Sequence, residues 1–286
     1  MANGIFCRPC RRFHFLFDCL MPTLSLYQVD AFTSLLFHGN PACVIPLTKW
    51  LPVDTMRRLA DENAVPETAF FIDNGPGHPI ELRWFTPDVE MDLCGHATVA
   101  TAHVLAHHLG YNTDAPIVFH TKSGNLTVTV LGGSYVLDLP SRPAVDAELP
   151  RELALAFGPK PREVLKARDY MLVFDNEKQI RELQPDRSIL DQIHLGVGGI
   201  ICTARGEEVD FVSRFFTPQA TIFEDPVTGS AHCTLTPYWA ERLGKKTMTA
   251  RQLSARGGAL QCTLAPHDRV LIKGHAVTYL EGKITL

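Results

Sequence analysis

The feature that most restricts what this chain can fold into is a loop that occurs twice. Arg83-Trp84-Phe85-Thr86-Pro87 leads into Asp92-Leu93-Cys94-Gly95-His96-Ala97, and Arg214-Phe215-Phe216-Thr217-Pro218 leads into Glu224-Asp225-Pro226-Val227-Thr228-Gly229-Ser230-Ala231. The two Arg-x-Phe-Thr-Pro pentads are in phase at an offset of 131 residues. After the loop the offset is 134, and it holds for Gly95 with Gly229, Ala97 with Ala231, Gly110 with Gly244, Gly124 with Gly258 and Leu126 with Leu260. The second loop therefore carries three extra residues. Two copies at so long a period indicate one duplicated supersecondary unit, since a solenoid needs several copies at a short period. Each copy reads as an aromatic strand, a turn at Thr-Pro, a small-residue loop, a helix closed by Leu-Gly, and a strand. A glycine at a helix start leaves backbone N–H groups and the positive end of the helix dipole facing outward, and such an end binds carboxylate or phosphate. Two of them, related by an approximate twofold axis, predict one anionic ligand between two lobes.

Composition narrows the partner. With 286 residues, 45% hydrophobic and 20% charged, the chain has the make-up of a globular protein. A net charge of −4 supplies no broad basic field for nucleic acid or an anionic membrane, which favours a small molecule. No apolar run reaches the roughly 18–20 residues that a spanning helix needs. The eight cysteines are scattered, most with apolar neighbours as in Ala42-Cys43-Val44, and read as reduced core residues of a cytoplasmic protein.

Residues 1–23 do not fit the pattern and are expected to be an extension, disordered or not native. Cys7-x2-Cys10-x3-His14-x4-Cys19 misses the zinc-knuckle spacing by one residue and has no glycine for its turns, so no metal site is expected there. Residues 24–140 are expected to form lobe 1 and residues 141–286 lobe 2, with the last strand free to return to lobe 1. Asp54 is a candidate N-cap, Pro66-Glu67-Thr68 opens a strand with one carboxylate in an apolar run, and a helix is predicted from Ala97 to about Leu109. Further helices are predicted over Arg151 to Phe157 and Asp186 to Gln192. His103 and His107 lie four apart, but the metalloprotease pattern requires Glu where this chain has Val104. Gly196-x-Gly198-Gly199 precedes a strand, Ile200-Ile201-Cys202, whereas a dinucleotide phosphate loop must open a helix.

Five motifs then occur in order: Asp30-Ala31-Phe32, Gly39-Asn40-Pro41, Pro66-Glu67-Thr68, Cys94-Gly95-His96-Ala97, and Asp225-Pro226-x-Thr228-Gly229-Ser230-Ala231. From about residue 24 onward the chain resembles the PhzF-like, or phenazine-biosynthesis-like, family. The resemblance implies an α+β fold of the diaminopimelate-epimerase type, with two pseudo-symmetric lobes, each a curved, mostly antiparallel sheet around a central helix. It also implies a homodimer, no cofactor, and a site in which Glu67 transfers the proton beside His96 and Asp225. The loops at Gly95 and Ala97 and at Gly229 and Ser230 would hold the substrate carboxylate.

These residue types suit the chemistry. Moving a proton between two carbons on one face needs one group that acts as base and then as acid, and a carboxylate can do both. A racemase of the same fold uses two cysteines, one on each face; Cys94 stands where the first would be, but Thr228 replaces the second. Read singly, Glu67 is equally a strand-edge carboxylate paired with an arginine, Asp225 a turn residue before proline, and Ser230 an ordinary cap. Their joint occurrence in the repeated loops assigns them to a site. The expected function is a cofactor-independent isomerase or epimerase acting on a small carboxylate-bearing metabolite. The alternatives are a non-catalytic binder of a metabolite or partner on the same fold, and an amino-acid epimerase that uses Cys94.

Overall fold

A computed structural model describes residues 23–196 and 198–286. The expectation for the N-terminal extension lies outside the described residues, apart from Thr23, which opens the first strand.

The duplication governs the strand order. Lobe 1 comprises β1 (Thr23–Ala31), β2 (Asn40–Leu47), β3 (Glu67–Ile72), β4 (Ile80–Phe85), β5 (Glu90–Met91), β6 (Ile117–Thr121), β7 (Gly124–Leu131) and β8 (Ser134–Pro140), with helices α1 (Val53–Asn63) and α2 (Gly95–His107). The second half comprises β9 (Val145–Asp146), β10 (Glu163–Lys166), β11 (Tyr170–Val173), β12 (Ile200–Arg205), β13 (Phe211–Phe216), β14 (Thr247–Gln252), β15 (Gly258–Ala265) and β16 (Arg269–Gly274). Its helices are α3 (Arg151–Phe157), α4 (Glu177–Glu182), α5 (Arg187–Leu190) and α6 (Gly229–Leu243). In lobe 1, β2 pairs with β3 in parallel, β3 with β4 antiparallel, β4 with β6 in parallel, and β6, β7 and β8 follow antiparallel. Lobe 2 repeats that series with β11, β12, β13, β14, β15 and β16. Antiparallel pairing of β8 with β16, Leu137 opposite Ile272, joins the lobes into one sheet. The final strand, β17 (Ala276–Thr285), returns to lie antiparallel to β1.

The repeated pentad does structural work in both copies. Arg83 donates to both oxygens of Glu90 at 2.7 and 2.9 Å, and Arg214 to both oxygens of Glu224 at 2.7 and 2.8 Å. The backbone N–H of Thr86 bonds Val89 O and that of Thr217 bonds Phe223 O, folding each loop back on its strand. Both loops thus deliver the chain to a helix start at a fixed place.

Helices α2 and α6 are the centres of their lobes. Every residue of α2 from Gly95 to Leu105 is buried, as expected for a helix with no Asp, Glu, Lys or Arg on any face. Its hydroxyls are satisfied internally, Thr101 by Ala97 O at 2.7 Å. In α6 the interior Pro237 has no N–H for the Cys233 carbonyl, which accepts the Arg142 N–H of the lobe connection at 2.9 Å instead. The two helices meet at their N-termini. A Cβ added to Gly95 would stand 3.2 Å from Gly229 Cα, so glycine on both sides is what lets the ends abut.

Several local expectations need correction. Asp54 is not a cap: Pro52, extended at ψ 139, is the N-cap, and its carbonyl accepts the N–H groups of Thr55 and Met56. Asp54 sits in the first turn and pairs with Arg57. Helix α2 begins at Gly95, not Ala97, and Asp186 caps a single turn instead of a helix to Gln192. The five described cysteines are buried and free, and no described helix is long and apolar enough to cross a membrane.

Candidate active site

Glu67 is the first residue of β3, placed by the parallel pairing of Ala42 with Glu67. His96 is the second residue of α2, and Asp225 enters from the loop before α6. The three come together across the lobe boundary. Glu67 Oε2 lies 3.0 Å from His96 Nε2, with the two side chains 12% and 3% exposed. On the other side of the ring, His96 Nδ1 is 3.0 Å from Asn40 Nδ2. The same Asn40 amide donates to Asp225 Oδ1 at 2.7 Å and to Val227 O at 2.9 Å. Glu67, His96, Asn40 and Asp225 therefore form one buried chain of polar contacts.

Gln252 secures the lobe 2 end of that chain. It donates to Asp225 O at 2.7 Å and accepts the Thr228 N–H at 2.8 Å, while the Thr228 hydroxyl donates to Asp225 Oδ2. Neither Asn40 nor Gln252 was marked by the sequence as a site residue. Asn40 is legible only as a member of the Gly39-Asn40-Pro41 motif, without a role of its own, and nothing in the sequence distinguishes Gln252.

Burial and neighbouring charge set the proton affinities. Burial opposes a charged His96, but the Cys94 and Glu67 side chains beside it outweigh that effect and raise its pKa well above the usual value. Burial, with the Glu67 charge added, pushes the Cys94 thiol up to about 11, so at neutral pH it is protonated. Glu67 is then the negative group that favours a proton on His96. Asp225 is raised chiefly by burial; Glu67 adds to the rise and His96 opposes it. Proton affinities shifted by burial and specific charge partners, gathered in a cleft, mark a candidate functional site.

Glu67, His96 and Asp225 of that chain form part of the wall of a cavity of about 350 Å³ between the lobes, with Asn40 buried behind them. Gly95, Gly229 and Ser230 also line it, so both helix N-termini open onto it. Pro66, Met91, Leu93, Phe215 and Ile222 supply apolar walls. Ala97 differs from its expected place: its side chain is wholly buried in the core and does not line the cavity, and its N–H points to Cys94. Glu67, Cys94 and His96 offer ligand atoms within 4.8 Å of one another, a set that a metal ion could use once the thiol lost its proton. His103, by contrast, is a buried packing residue that contacts Tyr135 OH at 2.9 Å and Thr278 Oγ1 at 2.8 Å, and His107 is exposed.

The family model described as phenazine biosynthesis-like protein matches residues 29–282. The chain belongs to that family. The chain is 46% identical over 264 residues to an uncharacterized isomerase of Pseudomonas aeruginosa, covering 92% of this chain and 99% of that one. The crystal structure of a PhzF-family protein from Enterococcus faecalis superposes with a TM-score of 0.86 at 43% identity, covering 93% of this chain and 100% of that chain. A hydroxyproline epimerase from Agrobacterium vitis shares the fold, with a TM-score of 0.59 at 10% identity over 92% of this chain and 93% of its own. Curated relatives at 44–46% identity are named isomerases, and the chain is an enzyme of that class.

Proposed function

We propose that this isomerase moves a proton on a small carboxylate-bearing metabolite without a cofactor, with Glu67 as the general acid and base. The observation that carries the reading is the 3.0 Å approach of Glu67 to His96 in the wall of a cavity onto which two helix N-termini open. The substrate carboxylate sits at Gly95 and Gly229. Glu67 takes a proton from a carbon next to the carboxylate or a conjugated carbonyl. The electron pair left behind is delocalised onto oxygens at the helix ends, where N–H groups and dipoles stabilise it. Glu67 then returns the proton to a second carbon on the same face. His96 orients Glu67, while Asn40 and Asp225 hold the ring in place.

We extend the reading to a cytoplasmic homodimer. Among the described strands β17 pairs only with β1, and Phe37, Tyr279 and Leu280 lie exposed nearby, a face on which a second copy can dock. A monomeric mass by light scattering removes that part.

The mechanism is tested by incubating the protein in heavy water with a pool of small carboxylic acids and reading deuterium uptake by mass spectrometry. Wild type should label a metabolite that Glu67→Gln leaves unlabelled, although the variant retains its circular dichroism and melting temperature. An equally active Gln variant removes Glu67 from the chemistry. Inactivation by a thiol reagent with protection by substrate would move the chemistry to Cys94. Metabolite binding that is indifferent to Glu67, with no labelling, would favour a non-catalytic binder.

A further inference from the structure

The cavity has a second charged end that this mechanism does not use. Arg168 is the one Lys or Arg side chain among the described residues that line it, against the carboxylates of Glu67, Asp88 and Asp225. It lies in the turn between β10 and β11, and several contacts make that turn rigid. Buried Asp169 accepts the Gly199 N–H at 2.8 Å, Tyr170 N–H donates to Gly199 O at 3.0 Å, and Ala167 N–H donates to Asp169 O at 3.1 Å. A Cβ added to Gly198 would stand 2.7 Å from Arg168 O, so only glycine lets the two segments pack this closely. The glycine cluster Gly196-x-Gly198-Gly199, which opens no helix and cradles no dinucleotide, thus has a physical role. It seats the Arg168 turn, and Gly196 and Gly198 share the cavity wall with the arginine.

We propose that Arg168 determines specificity by reading a second oxyanion of the substrate, a carboxylate or phosphate held at the lobe 2 wall. The substrate class is then a small dianion: one carboxylate at the paired helix ends, an apolar body against Met91, Leu93 and Phe215, and a second acidic group at Arg168. This rests on the proposed function for the placement of the first carboxylate. The arginine side chain is 17% exposed, so its charge acts in a partly desolvated setting, and its planar fork matches a carboxylate or phosphate. Its approach to Asp92 across the lobes is 3.9 Å, the outer limit of an ion pair, and Asp92 is 52% exposed.

Binding of benzoate, isophthalate and 3-phosphonobenzoate, measured by calorimetry, tests this without turnover. Wild type should bind at least one of the two dianions about tenfold or more tighter than benzoate, the gain of one charge-assisted pair. Whichever gains more identifies the oxyanion. Arg168→Met should reduce the preference to about twofold or less, Arg168→Lys should keep part of it, and Asp92→Asn should leave it intact. Failure of wild type to bind either dianion, or equal binding of all three probes, overturns the proposal. So does a preference that survives Arg168→Met. If Arg168→Met does not fold, full retention of the preference in Arg168→Lys overturns it, because a point charge would then serve as well as the fork. Loss of the preference in Asp92→Asn also overturns it, since Arg168 would then serve as a tie between lobes. Glu67→Gln separates the two readings: a variant that no longer labels substrate yet keeps the dianion preference leaves this inference standing, whereas labelling that depends on Glu67 in a protein with no dianion preference leaves only the proton transfer.

Discussion

Arg83 with Glu90 and Arg214 with Glu224 are clamps of the same bidentate form, yet the loops that they hold carry different side chains. Where lobe 1 has Cys94 and His96, lobe 2 has Thr228 and Ser230. Where the Thr98 hydroxyl bonds the Cys94 carbonyl, His232 Nδ1 bonds the Thr228 carbonyl at 2.8 Å. The widest divergence is at Glu67. Thr68 pairs with Phe85 and Ile200 with Phe216, so the counterpart of Glu67 in lobe 2 is Gly199. A side chain there would run into the Phe215 ring and Phe216 O. Duplication therefore kept what the backbone does, two helix ends opening onto one cavity, and let Glu67, Cys94 and His96 collect in lobe 1. The proposed single base working on one face fits such a symmetric frame with an asymmetric set of side chains.

The largest expected effect that would break this asymmetry is on catalysis. Glu67→Gln should lower solvent-deuterium exchange by about 10²–10⁴-fold, whereas Ser230→Ala, at the counterpart of His96, should cost less than about tenfold. Equal losses would make the site two-sided.

The clamps should cost unequal amounts. Arg214 also donates to the Ile180 and Leu183 carbonyls at the C-terminal end of α4. Urea unfolding should show Arg214→Met losing about 3 kcal/mol and Arg83→Met about 2 kcal/mol, within the range for breaking a partly buried ion pair. The opposite order would mean that the cation–π contacts of Arg83 with Trp50 and Phe85 outweigh those carbonyl bonds.

Acid stability separates the two carbonyl contacts. Burial pushes the His232 pKa down to about 4, so between about pH 6.5 and 4 the unfolded chain takes up a proton that the folded chain refuses. Stability should fall across that window by up to about 3 kcal/mol on account of His232, fully lost only below the folded pKa. Thr98 brings no such term. His232→Thr, which copies lobe 1, should flatten this part of the acid limb and leave the similar contribution of His103, whose pKa burial also pushes to about 4. An unchanged stability–pH curve would refute the assignment.

The smallest change in stability is expected at the shared contact. In Gly95→Ala or Gly229→Ala the new methyl meets the facing glycine at 3.2 Å, partly offset by the better helix propensity of alanine. A net shift within about 1 kcal/mol should accompany a similar loss of carboxylate affinity in both variants. Weakening in only one would show that a single helix end holds the anion.

Read by itself, the sequence determined the duplication, and with it the strand series, the two helix starts and the glycines at their tips. These are local signals, carried by residues adjacent in the chain and written twice. The same locality placed Glu67 at a strand entry and marked Gly196-x-Gly198-Gly199 as a turn before a strand. The tertiary structure decided which side chains meet. Asn40 reaches His96 over 56 residues and Asp225 over 185, and Gln252 closes on the Asp225 loop from a neighbouring strand. It also turned Ala97 into the core and buried the His232 side chain of α6. Partners so far apart in the chain are chosen by how the sheet curves and how two lobes dock, and desolvation, which sets their proton affinities, exists only after that packing is complete.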